Sequence, residues 1–194
     1  MTRRVFIIHG WEGYPKEGWF PWLKKELGTK GFRVHVPSMP DAAAPKIGAW
    51  VSFMKKKVGV PDAETFFVGH SIGCQTILRY LESLPSDVKV GGVVLVAGWV
   101  HLTPAALEDG SSKKIAKPWV ETPIGWKKIL PHTKLFVAVF SDDDPYVPLA
   151  DSEVFRAKLR SKIIIKKGLK HINGEAGITK LPIVKSELLK MYKK

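Results

Sequence analysis

The stretch Thr65-Phe66-Phe67-Val68-Gly69-His70-Ser71-Ile72-Gly73 decides the fold, because an apolar run leads directly into a G-x-S-x-G pentapeptide. Beyond it, apolar residues recur at helical spacing, at Cys74, Ile77, Leu78 and Leu81. A strand that turns into a helix around a serine holds that serine on a strained backbone with Oγ exposed, and flanking glycines relieve the crowding. The pattern predicts a nucleophilic Ser71. A Gly/Ser turn that merely precedes a helix is the alternative.

Composition predicts one domain that spans residues 1–194. Of the 194 residues, 45% are hydrophobic, which is enough for one ordinary core. The only cysteine, Cys74, cannot form an intrachain disulfide, and we expect it to be a small core residue in a reducing, cytoplasmic compartment. A cysteine nucleophile is the weaker alternative, because the elbow position is already a serine. The longest apolar stretch, 90–100, contains three glycines and is too short to insert into a membrane.

The formal charge of +13 raises the possibility of a nucleic acid or an anionic membrane surface as partner. The lysines occur in short runs such as Lys55-Lys56-Lys57 and Lys127-Lys128, which are typical of solvated helix faces. Neither a helix-turn-helix pattern nor zinc-ligand spacing accompanies them. We therefore expect no specific nucleic-acid partner and no metal. A basic binder remains a third hypothesis, which predicts salt-sensitive association.

Strand and helix patterns alternate along the chain. The predicted strands are 4–8, 32–36, 66–68, 92–97, 134–140 and 162–166. Helical spacing follows most of them, for example at Trp19, Trp22, Leu23 and Leu27. This alternation predicts an α/β fold with a six-stranded, mainly parallel sheet and helices on both faces.

In such open sheets the chemistry sits at the carboxyl ends of the strands. Ser71 follows the third predicted strand, three aspartates at 142–144 follow the fifth, and His171 follows the sixth. Of the six histidines, only His171 lies beyond the aspartates. The order serine, acid, histidine is that of the α/β-hydrolase triad.

Three neighbouring aspartates leave the acid less certain than the histidine. We favour Asp144, because Asp144-Pro145-Tyr146-Val147-Pro148 matches a D-x-x-V-P arrangement common after this strand in α/β-hydrolases. Pro145 also holds the residue before it extended. The alternative is a turn in which the aspartates cap backbone N–H groups, an interpretation that suits Asp142 or Asp143.

Motifs spread over essentially the whole chain resemble the small serine hydrolases of the retinoblastoma-binding protein 9 type. They are Gly69–Gly73, Asp143–Pro148, Lys170-His171-Ile172-Asn173, His9-Gly10-Trp11, Met39-Pro40-Asp41, and Lys117-Pro118-Trp119 with Trp126–Ile129. The resemblance implies a compact α/β-hydrolase that lacks the first antiparallel strands of the full fold and has a minimal cap. Ser71, Asp144 and His171 match the family triad.

The chain departs from that family at two places. The family commonly has glycine immediately before the catalytic histidine, whereas this chain has Lys170. The loop around His171 is therefore expected to differ locally. The L-x-C-x-E motif associated with retinoblastoma-protein binding has no counterpart, so that partner is not expected.

The predicted activity is that of a carboxylesterase-like serine hydrolase, which acts on small-molecule esters or related acyl substrates without a cofactor. The oxyanion would be held by the backbone N–H groups of Trp11 and Ile72, with Gly10 permitting the approach.

Candidate substrate contacts are His9, Trp119 and Val147. The segment 101–131, which contains Trp119 and Trp126, is expected either to form a small pocket wall or to supply packing anchors. The alternative function is a non-catalytic or weakly active interaction protein on a hydrolase scaffold. The sequence makes no prediction of oligomeric state.

Overall fold

The computed structural model describes residues 3–193; Met1, Thr2 and Lys194, which belong to the predicted domain 1–194, lie outside the described residues. The strands are β1 (Arg4–Ile8), β2 (Arg33–His35), β3 (Thr65–His70), β4 (Gly92–Val96), β5 (Phe136–Ser141) and β6 (Lys162–Lys166). The helices are α1 (Phe20–Gly28), α2 (Ile47–Val58), α3 (Ile72–Glu82), α4 (Gly110–Glu121), α5 (Trp126–Ile129), α6 (Asp151–Leu159) and α7 (Pro182–Tyr192). Within residues 3–193, none of these helices combines the length and hydropathy of a bilayer-spanning segment.

The six strands form one sheet in the order β2-β1-β3-β4-β5-β6. All strand pairs among the described residues are parallel, so the predicted α/β fold class with a mainly parallel sheet is confirmed. From β1 the chain crosses outward to β2 and then returns to add β3 on the other side of β1. The carboxyl ends of β1 and β3 therefore flank the point where the strand order reverses, which is where such sheets bind ligands.

Alternate side chains of the central strands face opposite sides of the sheet. Val5 and Ile7 of β1 belong to the apolar cluster beneath α1 and α7. Phe6 and Ile8 belong to the cluster beneath the helices on the other face, which include α2 and α3. Each fully buried side chain of this size stabilises the fold by roughly 1.5–3 kcal/mol. The two clusters thus pack against the two faces of the sheet and fix the directions in which its strand ends point.

The segment 101–131 contains helices that the sequence patterns did not predict. A single 3₁₀ turn, Pro104–Leu107, precedes α4 and α5. Asp109 caps α4, because its Oδ1 accepts hydrogen bonds from the N–H groups of Ser111 and Ser112, both at 2.8 Å. Pro118 lies inside α4 near its carboxyl end. A proline inside a helical pattern predicts that the helix ends there, so the sequence does not indicate α4.

The close approach of α3 to β1 leaves no room for a side chain at Gly73. A Cβ at this position would lie 2.6 Å from the carbonyl oxygen of His9 and closer still to that of Ile8. We expect Gly73→Ala to lower the free energy of unfolding by about 2–4 kcal/mol, because backbone rather than a flexible side chain must move. Urea denaturation measures this loss.

Gly48 provides the matched control, because it lies in α2 with nothing within 4 Å of a Cβ. We expect Gly48→Ala to be neutral or to stabilise the protein by about 0.5–1 kcal/mol, since alanine is the better helix former. Similar losses in the two variants would contradict the steric argument at Gly73.

Candidate active site

Ser71 is the single residue between the end of β3 and the start of α3. Its backbone has φ 52° and ψ −125°, outside the regions that L-residues ordinarily adopt. A hydrogen bond of 2.9 Å from its N–H to the carbonyl of Val96 fixes this conformation. A Cβ at Gly69 would lie 2.8 Å from the backbone nitrogen of Cys74, so this glycine is also required by the turn. Strain of this kind costs about 1–3 kcal/mol and is concentrated at functional sites.

His171 and Asp144 lie side by side at the carboxyl edge of the sheet. The Nδ1 atom of His171 is 2.9 Å from Oδ2 and 3.1 Å from Oδ1 of Asp144. The carboxylate also accepts the N–H groups of Tyr146 and Val147 on Oδ1, at 2.9 Å and 3.1 Å. Because a carboxylate only accepts, the hydrogen-bond network assigns the proton of the neutral imidazole to Nδ1. The lone pair of Nε2 is then free to accept a proton.

Ser71 and His171 line the same cleft, whose volume is about 790 Å³. Between residues 3 and 193, no hydrogen bond joins the Ser71 hydroxyl to His171. Hydrogen bonds between catalytic groups are often long in unliganded sites and tighten only when substrate is bound. The structure therefore brings the predicted nucleophile and histidine into one cavity of a size that suits a small-molecule ligand.

The walls of this cleft come from three stretches of chain. The loop after β1 supplies residues 10–14, and the loop around His171 supplies residues 173–175. The third wall comes from the segment after β4, with Trp99 and Leu102, and from α4, with Ile115. Sequence reasoning expected a pocket wall from this region but did not single out these residues, because nothing in their spacing marks them.

The three predicted substrate contacts do not line the cleft, which corrects that expectation. The side chain of Trp119 is 1% exposed, and its indole N–H donates to the carbonyl of Pro45 at 2.9 Å. His9 is fully buried, and its Nε2 accepts the N–H of Met39 at 2.9 Å. Val147 is also buried in the core. These side chains pack the protein around the site, so the packing alternative describes Trp119.

The aspartates beside Asp144 anchor the loop that carries His171. Asp143 accepts the backbone N–H of Lys170 at 2.8 Å, and its carboxylate also pairs with the Lys170 ammonium at 3.0 Å. Asp142 accepts the N–H of Gly168 at 2.9 Å. The hydrogen bond from Ser141, and then those from Lys170, lower the pKa of Asp143 to about 2. Asp142 and Asp143 thus cap backbone, as the alternative interpretation of the three aspartates expected.

Lys170 occupies a position that favours glycine. Its φ is 50°, in the left-handed region where a side chain is strained. The two contacts with Asp143 hold it there. The local difference expected around His171 is thus a lysine with positive φ that contacts Asp143 through its backbone and its side chain.

Two further side chains hold the His171 loop from below. The Nε2 atom of His70 lies 2.9 Å from the carbonyl oxygen of His171, and the indole of Trp19 donates to the carbonyl of Ile172 at 2.8 Å. His70 must be the donor in its contact, because a carbonyl only accepts. Sequence reasoning treated His70 as the variable residue of the elbow and Trp19 as a helix residue. Both residues in fact position the histidine loop.

The candidate oxyanion donors are placed on both sides of Ser71. Trp11 and Ile72 both line the cleft, and among residues 3–193 no carbonyl or side chain accepts their backbone N–H groups. A Cβ at Gly10 would lie 3.0 Å from Nδ1 of His70 and 3.3 Å from Cβ of Ser71, so a larger residue would crowd the nucleophile. Two unpaired N–H groups beside a serine can stabilise a developing oxyanion.

Among the described residues, neither Cys74 nor a group of metal-binding side chains takes part in this site. Cys74 is fully buried, and burial raises the pKa of its thiol, which opposes formation of a nucleophilic thiolate. Among the described residues, no three histidine, cysteine, aspartate or glutamate side chains are placed to hold a metal ion together.

Comparisons with known proteins identify the family and the fold of this chain. The family model described as serine hydrolase matches residues 5–190. The protein YdeN of Bacillus subtilis is 29% identical over 194 residues, which cover 100% of this chain and 98% of YdeN. The serine hydrolase RBBP9 of Rattus norvegicus is 26% identical over 147 residues, covering 75% of this chain and 73% of RBBP9.

Solved structures share the fold. The crystal structure of the B. subtilis ydeN gene product superposes with a TM-score of 0.90 at 29% identity, and the match covers 100% of both chains. Est1E of Butyrivibrio proteoclasticus, in a structure with ferulic acid bound, gives a TM-score of 0.75 at 16% identity and covers 98% of this chain and 90% of its own. At that identity the likeness concerns the fold alone.

Buried His70 makes stability depend on pH. Burial, and secondarily the charge of His171, lowers the pKa of His70 from 6.5 to about 3. At a pH between 3 and 6.5, the unfolded chain therefore binds a proton at His70 that the folded chain does not bind. The free energy of unfolding falls as the pH decreases from 6.5 toward 3. When the pH is lowered from about 7 to about 4.5, we expect the free energy of unfolding to fall by roughly 2–3 kcal/mol less in His70→Gln than in the parent.

Urea denaturation of both proteins at the two pH values measures this difference. Glutamine keeps a donor for the carbonyl of His171, so the substitution removes the titration while leaving the contact possible. Equal losses on acidification in the parent and the variant would show that His70 does not titrate as expected.

Proposed function

Because this chain belongs to the serine hydrolase family, we propose that it cleaves small carboxylic esters through an acyl-enzyme formed on Ser71. The observation that carries the proposal is one cavity lined by both the strained Ser71 and His171, whose Nδ1 contacts Asp144 behind it. In the proposed triad Ser71 is the nucleophile, His171 the general base and acid, and Asp144 the group that orients the imidazole.

In the first half of the reaction, Oγ of Ser71 attacks the ester carbonyl carbon while Nε2 of His171 takes the hydroxyl proton. The carbonyl oxygen becomes negative and accepts the N–H groups of Trp11 and Ile72. The bond from carbon to the alcohol oxygen then breaks, and His171 gives its proton to the departing alcohol. Water attacks the acyl-enzyme by the same route, which releases the acid and restores Ser71.

Asp144 has two roles in this scheme. Its contact with Nδ1 fixes the tautomer that leaves Nε2 free, and its negative charge stabilises the imidazolium that forms. Its side chain is 3% exposed, so solvent screens this interaction little. The oxygen that also accepts Tyr146 and Val147 is held in place by the backbone.

We further infer that the protein works in the cytoplasm, because its only cysteine, Cys74, is a buried free thiol. Esters are the first substrate class to test. Thioesters and amides react through the same acyl-enzyme and belong in the same panel.

A fluorophosphonate probe tests for an activated serine. We expect the purified protein to gain the mass of one adduct, and Ser71→Ala and His171→Ala to gain none at matched times, because the first lacks the nucleophile and the second its base. Intact mass spectrometry detects the adduct, and circular dichroism checks folding. Ser86→Ala, at an exposed serine outside the cleft, is the control and should label like the parent. A folded parent that fails to label would favour the alternative of an interaction protein on a hydrolase scaffold.

Matched asparagine variants distinguish the acid from its neighbour. We expect Asp144→Asn to lower kcat by roughly 10³–10⁴, because the wrong imidazole tautomer then faces Ser71. Asp143→Asn weakens contacts with Lys170 and Ser141 but leaves the carboxylate that meets His171, so its loss should be roughly tenfold or less. Steady-state kinetics on an ester that the parent cleaves measures both. Equal losses in the two variants would contradict the assignment of Asp144.

A further inference from the structure

The cleft around Ser71 has a charge opposite to that of the whole chain. The chain carries 31 lysines and arginines against 18 aspartates and glutamates. Among the described residues, however, no lysine or arginine lines the cleft, whereas four carboxylates do. They are Glu12, Glu17, Asp109 and Glu175. A cleft lined by one sign of charge concentrates ligands of the opposite sign.

Asp109 already has a structural task as the N-cap of α4, which leaves the three glutamates. Glu17 is the least exposed of them. A Cβ at Gly13 would lie 2.8 Å from its Oε2, and a Cβ at Gly174 would lie 3.4 Å from its Cγ. The Glu17 side chain therefore sits between the loop after β1 and the loop that carries His171.

Glu17 forms no ion pair with any lysine or arginine among residues 3–193. Two other glutamates that are partly or fully buried are paired, Glu26 with Lys185 and Glu187 with both Lys162 and Lys190. Burial, and to a smaller extent the nearby charge of Glu175, raises the pKa of Glu17. Backbone hydrogen bonds from Gly174 and Tyr14 offset part of the cost of burying this carboxylate, and a cation bound in the cleft would offset more of it.

A buried histidine borders the same cleft. His70 lines it, is 3% exposed, and has no hydrogen-bond partner for Nδ1. Because Nε2 donates to the carbonyl of His171, Nδ1 carries a lone pair rather than a proton. It faces Gly10, where a Cβ would lie 3.0 Å away. His70 therefore borders the cleft as a neutral side chain and adds no positive charge to it.

The position of Glu17 relative to His171 indicates which half of a substrate it would meet. The side chain of Glu17 lies against Gly174, three residues beyond His171, and both Glu17 and His171 line the cleft. His171 delivers a proton to the leaving group, and the space around it must hold that group. The ring of Tyr146 lies 5.2 Å from that of His171, and Trp11 and Tyr14 also line the cleft. Aromatic faces of this kind attract cations.

We propose that the cleft takes acyl substrates whose leaving group is positively charged, an alcohol that carries an ammonium or quaternary ammonium group, with Glu17 facing the cation. The inference rests on the hydrolase function proposed above and adds the substrate class. It does not depend on which acyl group the protein prefers.

Two methylphosphonothioate probes of equal shape test the proposal. One releases thiocholine, and the other releases the uncharged thiol in which a carbon atom replaces the ammonium nitrogen. In each, a bond forms from Oγ of Ser71 to phosphorus, the phosphorus–sulfur bond breaks, and the proton of Ser71 passes through His171 to the departing thiolate. The rate of phosphonylation, followed by intact mass, reports on the leaving group without requiring knowledge of the natural substrate.

We expect the parent to react roughly tenfold faster with the cationic probe at low salt, with the ratio shrinking at high salt because exposed charges are screened. Glu17→Gln should bring the ratio of the two rates toward one. Glu121→Gln is the matched control, because its side chain is 62% exposed on α4 outside the cleft, and it should keep the parent ratio. If Glu17→Gln folds poorly, the exposed Glu175→Gln should lower the ratio in the same direction.

The outcomes separate this inference from the proposed function. Equal rates with the two probes in the parent would overturn the cationic substrate class while leaving an active serine. A Glu17→Gln variant that slows both probes by the same factor would show that Glu17 supports structure instead of facing a cation. Absence of any adduct from either probe on folded protein would instead overturn the proposed hydrolase function.

Discussion

The contact between the first turn of α3 and the backbone of β1 is the constraint on which this structure depends. Ser71 alone reverses the chain between β3 and α3, so α3 must begin directly above the sheet. That is possible only because Gly73 places no side chain against the carbonyls of Ile8 and His9. The same approach leaves Ser71 in a strained conformation at the edge where β1 and β3 end. The close approach of α3 to β1 is thus required both for packing of the helix on the sheet and for exposure of the nucleophile.

The second half of the site is held by polar contacts rather than by packing. The loop around His171 has two non-glycine residues with positive φ, Lys170 and Ile172. Hydrogen bonds from the end of β5 restrain its front, through Asp142 and Asp143. His70 and Trp19 bind the carbonyls at its base. His171 consequently reaches Asp144 from a loop whose own backbone preferences would not hold it there.

The cleft is lined by acidic side chains, whereas the chain as a whole carries a positive charge. A formal charge of +13 describes the chain, yet the described residues lining the cleft include no lysine or arginine. Net charge alone would have directed attention to anionic partners. The local field is set by which side chains the fold brings together, and these are glutamates from two loops and a neutral, buried His70.

The sequence by itself determined the strands, the elbow and the order of the polar residues at the strand ends. It could do so because strand and helix periodicity, glycine spacing and strand order are local features. It did not predict α4, whose pattern Pro118 interrupts, and it left open whether Trp119 contacts substrate or packs in the core, where the fold buries it. It favoured Asp144 over Asp143 through the D-x-x-V-P match, although both residues follow the same strand. Only tertiary structure decides which carboxylate meets His171 and which glutamates share its cleft. Those contacts join segments that are distant in sequence, and the spacing between such segments does not predict whether they meet in the fold.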